Sequence, residues 1–170
     1  MIIIGYQGIG KSTLVANNPG GKYIDLESGN FWIDDKRTDD WYKPYCNIAA
    51  DLSSQGFIVF TSSHEVVRNE LMKYDEKAVV VCPSIKLKDE WIEKLKVRWE
   101  ESKLDKDYRA YMNAVDRYTD NINELINSSF VVCEIENINY TMKHVTDKLD
   151  HYYGHQGVDL VTEYIRVHHN

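Results

Sequence analysis

Gly5-Tyr6-Gln7-Gly8-Ile9-Gly10-Lys11-Ser12 stands directly behind the apolar run Met1-Ile2-Ile3-Ile4 and fits the spacing G-x-x-x-x-G-K-[ST] at every constrained position. A chain of phosphates is a dense cluster of anionic oxygens, and holding it takes several backbone N–H donors on a tight curve. Side chains on that curve would keep the backbone away, and glycines at 5, 8 and 10 remove them. The segment from Ser12 to Asn17 reads as a helix whose first N–H groups and positive dipole end would face the phosphates. On this pattern Gly8, Ile9, Gly10, Lys11, Ser12 and Thr13 bind a nucleotide. Lys11 reaches its β and γ phosphates and the Ser12 hydroxyl ligates Mg2+. The strand before the loop and the helix after it separate the pattern from an accidental glycine-rich turn.

A chain of 170 residues, 43% of them hydrophobic, is expected to form one domain over 1–170 with a core that needs no disulfide or metal. Its formal charge of -7 argues against a broad nucleic-acid or membrane surface, because phosphate backbones and anionic lipids call for basic faces. A bound phosphate must therefore meet a local cluster of Lys and Arg. Cys46, Cys82 and Cys133 are scattered and match no disulfide or zinc spacing, and two of them lie in apolar runs where a thiol is a small hydrophobe. Met1 leads straight into the first strand, and no apolar stretch reaches membrane-spanning length. A cytoplasmic setting is expected.

Apolar runs at 2–5, 57–60, 78–82 and 130–133 read as buried strands, and 22–27 as a strand that delivers Asp25 and Glu27 at its carboxyl end. Acids two positions apart on a strand point the same way. Asp25 and Glu27 then either orient Mg2+ waters or accept a hydrogen bond from a substrate hydroxyl; the plain alternative is that Asp25 caps the next loop. Residues 28–55 form an insertion. Its first part is rich in aromatics and charges (Phe31, Trp32, Arg37, Trp41, Tyr42) and suits either a substrate cover or a solvated loop, and the aromatics either stack a base or pack the insertion. Helices are expected over 11–17, 41–55, 64–73, 86–103, 106–127 and 141–152, and weakly over 158–167. Arg68 falls one turn into the helix after strand three. The helical hairpin 86–127 carries an apolar stripe, Leu87, Trp91, Leu95 and Trp99, with Lys94, Arg98 and Arg109 toward its tip. Such arginines either fold over a phosphate or pair with nearby acids such as Glu101 or Asp105. His151, His155, His168 and His169 show no metal-ligand spacing.

Strands alternating with helices describe an α/β fold with a parallel sheet and helices on both faces. With its glycine-rich loop after strand one, the chain resembles the P-loop nucleoside and nucleotide kinases. The stretches Gly56 to Arg68 and Lys88 to Lys94 are also similar to small nucleotide kinases carried by phages. The resemblance implies a three-layer α/β/α domain, a five-stranded parallel sheet in the order 2-3-1-4-5, and a lid made by the hairpin. It implies ATP and Mg2+ as cofactors, with Lys11 and Ser12 holding them and Asp25 and Glu27 near the metal. Arg68 would grip the acceptor's phosphate, and Arg98 and Arg109 would close over the transferring group. Adenylate kinases carry Asp-Gly-Phe-Pro-Arg after strand three, where this chain has Thr61-Ser62-Ser63-His64, so AMP specificity does not carry over. The acids after strand two are more similar to those of shikimate and deoxynucleoside kinases.

The expected activity is ATP-dependent phosphorylation of a (deoxy)nucleoside monophosphate by a monomer or a homodimer, with no nucleic-acid or membrane partner. A nucleotide phosphate is already ionised near neutral pH and needs arginines more than a base, whereas a hydroxyl acceptor would need a carboxylate such as Asp25. Kinases of nucleoside or small-molecule hydroxyls are the first alternative. A P-loop ATPase or GTPase is the second, against which stands the absence of Asn-Lys-x-Asp and Asp-x-x-Gly segments.

Overall fold

The structure is a computed structural model that describes residues 1–31, 36–154 and 165–167, with backbone alone for 152–154 and 165–167. The chain divides into two compact units, Met1–Tyr6 with Gly10–Val80, and Gln7–Ile9 with Val81–Asn170.

In the first unit the chain runs β1 (Ile2–Gly5), α1 (Lys11–Ala16), β2 (Tyr23–Asp25), α2 (Tyr42–Ser54), β3 (Ile58–Ser62), α3 (Glu65–Leu71) and the first half of β4 (Ala78–Pro83). Ile2, Ile3 and Ile4 are all buried, as are Ile58, Val59, Phe60 and Thr61. Successive side chains of a strand point to opposite faces, so unbroken burial means that both faces of β1 and β3 are covered. Helix α2 turns Tyr45, Cys46, Ala49, Ala50 and Ser53 inward on one stripe. Gly56, at φ +92°, takes the left-handed conformation that ends this helix and leads into β3. Strand β3 pairs in parallel with β1 on one side and β2 on the other, bringing Gly5 level with Ser62 and Asp25 level with Phe60. The carboxyl ends of the three strands therefore lie abreast.

The second unit holds the rest of β4, a 3-10 turn at Ile85–Leu87, α4 (Lys88–Ser102), α5 (Asp105–Ile126), β5 (Val131–Ile135), α6 (Met142–Gly154) and β6 (Ile165–Val167). Leu87, Trp91 and Leu95 are buried as their spacing requires, and Ala114, Tyr118, Ile122 and Leu125 make the matching stripe on α5. Trp99 is only half-buried and stacks on Tyr111, with ring centroids 5.7 Å apart. Tyr118 closes the packing by donating its hydroxyl to the Ser84 carbonyl at 2.8 Å. The hairpin turns at Lys103, a non-glycine residue at φ 55°.

The sheet order is β2-β3-β1-β4-β5-β6, parallel, with five strands in the foreseen order 2-3-1-4-5 and β6 added beyond β5. Two expectations change. Strand β2 ends at Asp25 rather than Glu27, with only the Leu26 N–H continuing the ladder to Phe60 O at 2.9 Å. Ile165–Val167, expected as part of a short helix, is strand; the rest of 158–167 lies outside the described residues, as do Trp32, His155, His168 and His169. Cys46, Cys82 and Cys133 are free thiols; burial pushes Cys46 and Cys133 up to about 12, and raises Cys82 as well. No helix among the described residues is long and apolar enough to cross a membrane.

Candidate functional site

The loop between β1 and α1 takes the shape its glycines permit. Gly8 and Gly10 sit at φ +82° and +93°, a conformation that costs an L side chain about 1–2 kcal/mol. Lys11, at the start of α1, turns its ammonium back over the loop and donates to the Gly5 carbonyl at 3.1 Å. The chain thus curls so that a cation stands over its own backbone turn. Ile9 is buried, whereas Ser12 and Thr13 are exposed on α1.

Of Ser12, Asp25 and Glu27, the three residues expected at the metal, the first two are brought together: the Ser12 hydroxyl donates to Asp25 Oδ2 at 2.6 Å. Two oxygens suit a hard cation, and Mg2+ takes one or two protein carboxylates while keeping waters and phosphate oxygens. The residues present fit that ion, which Ser12 and Asp25 would hold. Glu27 stands apart from this pair, exposed and past the end of β2, so strand alternation no longer aligns it with Asp25. Among the described residues no three of His, Cys, Asp and Glu are gathered for a metal ion.

Beyond the end of β3 lies a cluster that the sequence did not reveal. His64 caps the start of α3 and shares a hydrogen bond with Ser62 Oγ at 2.9 Å. It is exposed, yet the crowding of its ring and then the charges of Arg37, Lys11 and Arg68 hold its imidazole below the usual histidine range. All three charges acting on it are positive. Arg68 is buried on α3, where it donates to the Ser63 carbonyl at 2.6 Å and braces the β3–α3 turn. Arg37 lies over the Trp41 ring at 4.2 Å and donates to Ser28 Oγ at 3.1 Å. Trp41 meets His64 edge-on at 5.8 Å. Phe31, Trp41 and Tyr45 pack on one another with centroids 5.3–6.4 Å apart, so these insertion aromatics form a small core of their own. Tyr45 pins that core to the strand ends, donating to Leu26 O at 2.7 Å and accepting from Ser62 N–H at 2.9 Å.

In the second unit the two hairpin arginines have acidic partners. Arg109 pairs with Asp105 at 2.7 Å one turn earlier on α5, both exposed, the intrahelical pairing weighed from the sequence. Arg98 pairs across the hairpin turn with Asp107, whose side chain is buried and also accepts from Ser102 Oγ at 2.6 Å. Lys94 lies over the Trp91 ring at 4.2 Å, and burial followed by the charge of Arg98 lowers its pKa.

His64 carries one signal of this kind, since it ends the polar stretch Thr61-Ser62-Ser63-His64 at the close of β3, where the fold class puts ligands; Arg37, twelve residues past the end of β2, carries none. Against known proteins, no family model and no curated sequence matches this chain.

Proposed function

We propose that the chain is a P-loop kinase of three-layer α/β/α build that transfers the γ-phosphoryl group of ATP to a (deoxy)nucleoside monophosphate, with Mg2+ as cofactor. The observation that carries this reading is the geometry at the start of α1, where Lys11 turns back to the Gly5 carbonyl at 3.1 Å and the Ser12 hydroxyl donates to Asp25 Oδ2 at 2.6 Å; the positive surrounding of His64 adds to it. In a protein of formal charge -7, Lys11, Arg37 and Arg68 all act on one imidazole at the end of β3. Cations gathered beside a loop of phosphate-binding shape suit two anions that must be held together against their repulsion.

Lys11 and the N–H groups of Gly8 to Thr13 would hold the donor's phosphates, and Ser12 with Asp25 the metal. The metal, when bound, neutralises charge on the phosphates. Arg37 and Arg68 would hold the acceptor's phosphate, one oxygen of which attacks the γ phosphorus as the bond to the β–γ bridging oxygen breaks and ADP departs. Neutral His64 adds a hydrogen-bonding group to this surface without a full charge. Arg109, whose exposed pair with Asp105 is worth under about 1 kcal/mol, would be the lid arginine that the resemblance assigns to the transferring group. The hydrogen bond from Ser12 to Asp25 supports a metal-side role for this carboxylate and, with it, a phosphate acceptor over a hydroxyl acceptor needing a base.

The test is an ATP-dependent phosphorylation screen across ribo- and deoxyribonucleoside monophosphates, nucleosides and small hydroxy acids, with products identified by mass. A nucleoside diphosphate formed from one or a few monophosphates is the expected result. Phosphorylation of a nucleoside or hydroxy acid would move the assignment to a hydroxyl kinase, and ADP release indifferent to acceptor would move it to a hydrolase.

A further inference from the structure

The centre of the glycine-rich loop, Gln7–Ile9, belongs with the unit that contains the α4–α5 hairpin. Three hydrogen bonds and one close packing contact hold it there. Trp91, buried on α4, donates its indole N–H to the Gln7 carbonyl at 3.0 Å. The Gln7 side-chain amide donates to the Ala110 carbonyl at 2.8 Å and to Asn113 Oδ1 at 3.3 Å, both on α5. Gly8 packs so closely on α4 that an added Cβ would stand 2.9 Å from Leu95 Cδ2 and 3.3 Å from Trp91 Nε1.

The peptide joining Gln7 to Gly8 is planar and trans, so its C=O and its N–H point in opposite directions. Holding the Gln7 carbonyl therefore also sets the direction of the Gly8 N–H on the other edge of the same plane. A flip of this peptide would swing the N–H away and leave a buried indole donor without its acceptor, an outcome native structures avoid. Gly8 has no Cβ and sits at φ +82°, where a peptide flip meets little steric resistance from the residue itself. The restraint has to come from outside the loop, and Trp91 supplies it.

We propose that Trp91 is a positioning residue for the phosphate site: by holding the Gln7 carbonyl it keeps the Gly8 N–H aimed at the triphosphate, while the Gln7 side chain ties the same peptide to α5. This rests on the loop being the ATP site. It gives the hairpin a task separate from the one proposed for Arg109, since it acts on the ground-state shape of the loop rather than on the transferring group.

Trp91→Phe retains an aromatic ring and removes the donor. Its MgATP affinity is measured by calorimetry, its affinity for the preferred monophosphate is measured in the absence of ATP, and the Gly8 amide is followed in nitrogen–proton spectra. The expected result is a displaced Gly8 amide signal in the free variant and MgATP binding weakened about tenfold, the equivalent of ~1.4 kcal/mol and of one hydrogen bond. Monophosphate affinity stays at the parental value. Gln7→Ala, which alters a half-buried side chain, is expected to weaken MgATP about threefold and decides the question if Trp91→Phe does not fold. Parental MgATP affinity in both variants overturns the proposal. So does an equal fall in both affinities that tracks the thermal midpoint, because that is the mark of a packing residue. Lys11→Ala separates the two levels. If it loses MgATP while Trp91→Phe and Gln7→Ala keep it, only the positioning role fails; if the parent binds no MgATP, or Lys11→Ala binds it as the parent does, the ATP site itself is refuted and the positioning role with it.

Discussion

A proton on His64 has to share its surroundings with Arg37, Lys11 and Arg68, and that repulsion can be titrated. Because the ring is exposed, part of the effect is screened by salt. The imidazole, followed by proton NMR at low ionic strength, should titrate below the ordinary histidine value of 6.5, move toward it as salt is raised, and move up further when a phosphate monoester binds. A pKa indifferent to phosphate would remove His64 and its neighbours from the acceptor site. The linkage has a definite sign: below 6.5 the unfolded chain takes up a proton that the folded one resists. The stability this group leaves intact at neutral pH is lost as the pH falls from about 6.5 through the folded value, and His64→Phe should abolish that part of the acid sensitivity. Asp25 offers a second test. Asp25→Asn keeps an oxygen near Ser12 but removes the charge, so it should raise the Mg2+ concentration needed for half-maximal turnover and lower kcat modestly, roughly tenfold. A fall of about 10³-fold or more, with the Mg2+ requirement unchanged, would instead mark Asp25 as a general base acting on a hydroxyl. Glu27→Gln should behave like the parent, because Glu27 lies past the end of β2.

At the scale of elements, the α4–α5 hairpin separates two kinds of arginine. Asp107 is buried and serves both Arg98 and Ser102, so Asp107→Asn should cost about 1–3 kcal/mol by leaving charge and hydrogen bonds unmatched at the hairpin turn, read as a lowered urea midpoint. Arg109 and Asp105 are both exposed, and Arg109→Ala should change stability by less than about 0.5 kcal/mol. If Arg109 meets the transferring group, the same substitution should lower kcat by roughly 10²-fold with little change in KM for either substrate. Parental kcat in Arg109→Ala would make it a surface residue. Helix α5 is also bent. Asn113 and Asn121 would lie about 12 Å apart along a straight axis, yet Asn121 Nδ2 donates to Asn113 Oδ1 at 2.9 Å. The break at Arg117, with φ -134°, lets them meet, and it occurs in a helix that holds neither proline nor glycine. Since Asn113 also accepts from Gln7, the bend lies one hydrogen bond from the glycine-rich loop.

For the molecule as a whole, what could be read in the sequence follows from how local each signal is. Strands β1, β3, β4 and β5 are legible because burial on both faces leaves an uninterrupted apolar run; β2 was also foreseen, though it stops at Asp25, whereas the three residues of β6 leave almost no pattern. The glycine-rich loop is legible because its parts are contiguous. The cluster around His64 is not, because Lys11, Arg37 and the His64–Arg68 turn come from three separate segments and meet only once β3 has taken its place between β1 and β2. The partner of Arg98 is hidden for the same reason: Asp107 lies across the hairpin turn and was not among the acids, such as Glu101 or Asp105, that the sequence offered. A ligand that binds only the folded chain reports on whether these separate segments make one working site. At a hundred times its Kd, MgATP should stabilise the fold by about 2.7 kcal/mol, which for a chain of this size raises the thermal midpoint by roughly 5–11 °C. Lys11→Ala should lose that shift and keep the smaller one given by the acceptor monophosphate, whereas Arg68→Ala, compared with its own ligand-free midpoint, should keep the first and lose the second. If both variants lose both shifts together, the two phosphates do not occupy separately held positions, and the division of labour between the glycine-rich loop and the His64 cluster is wrong.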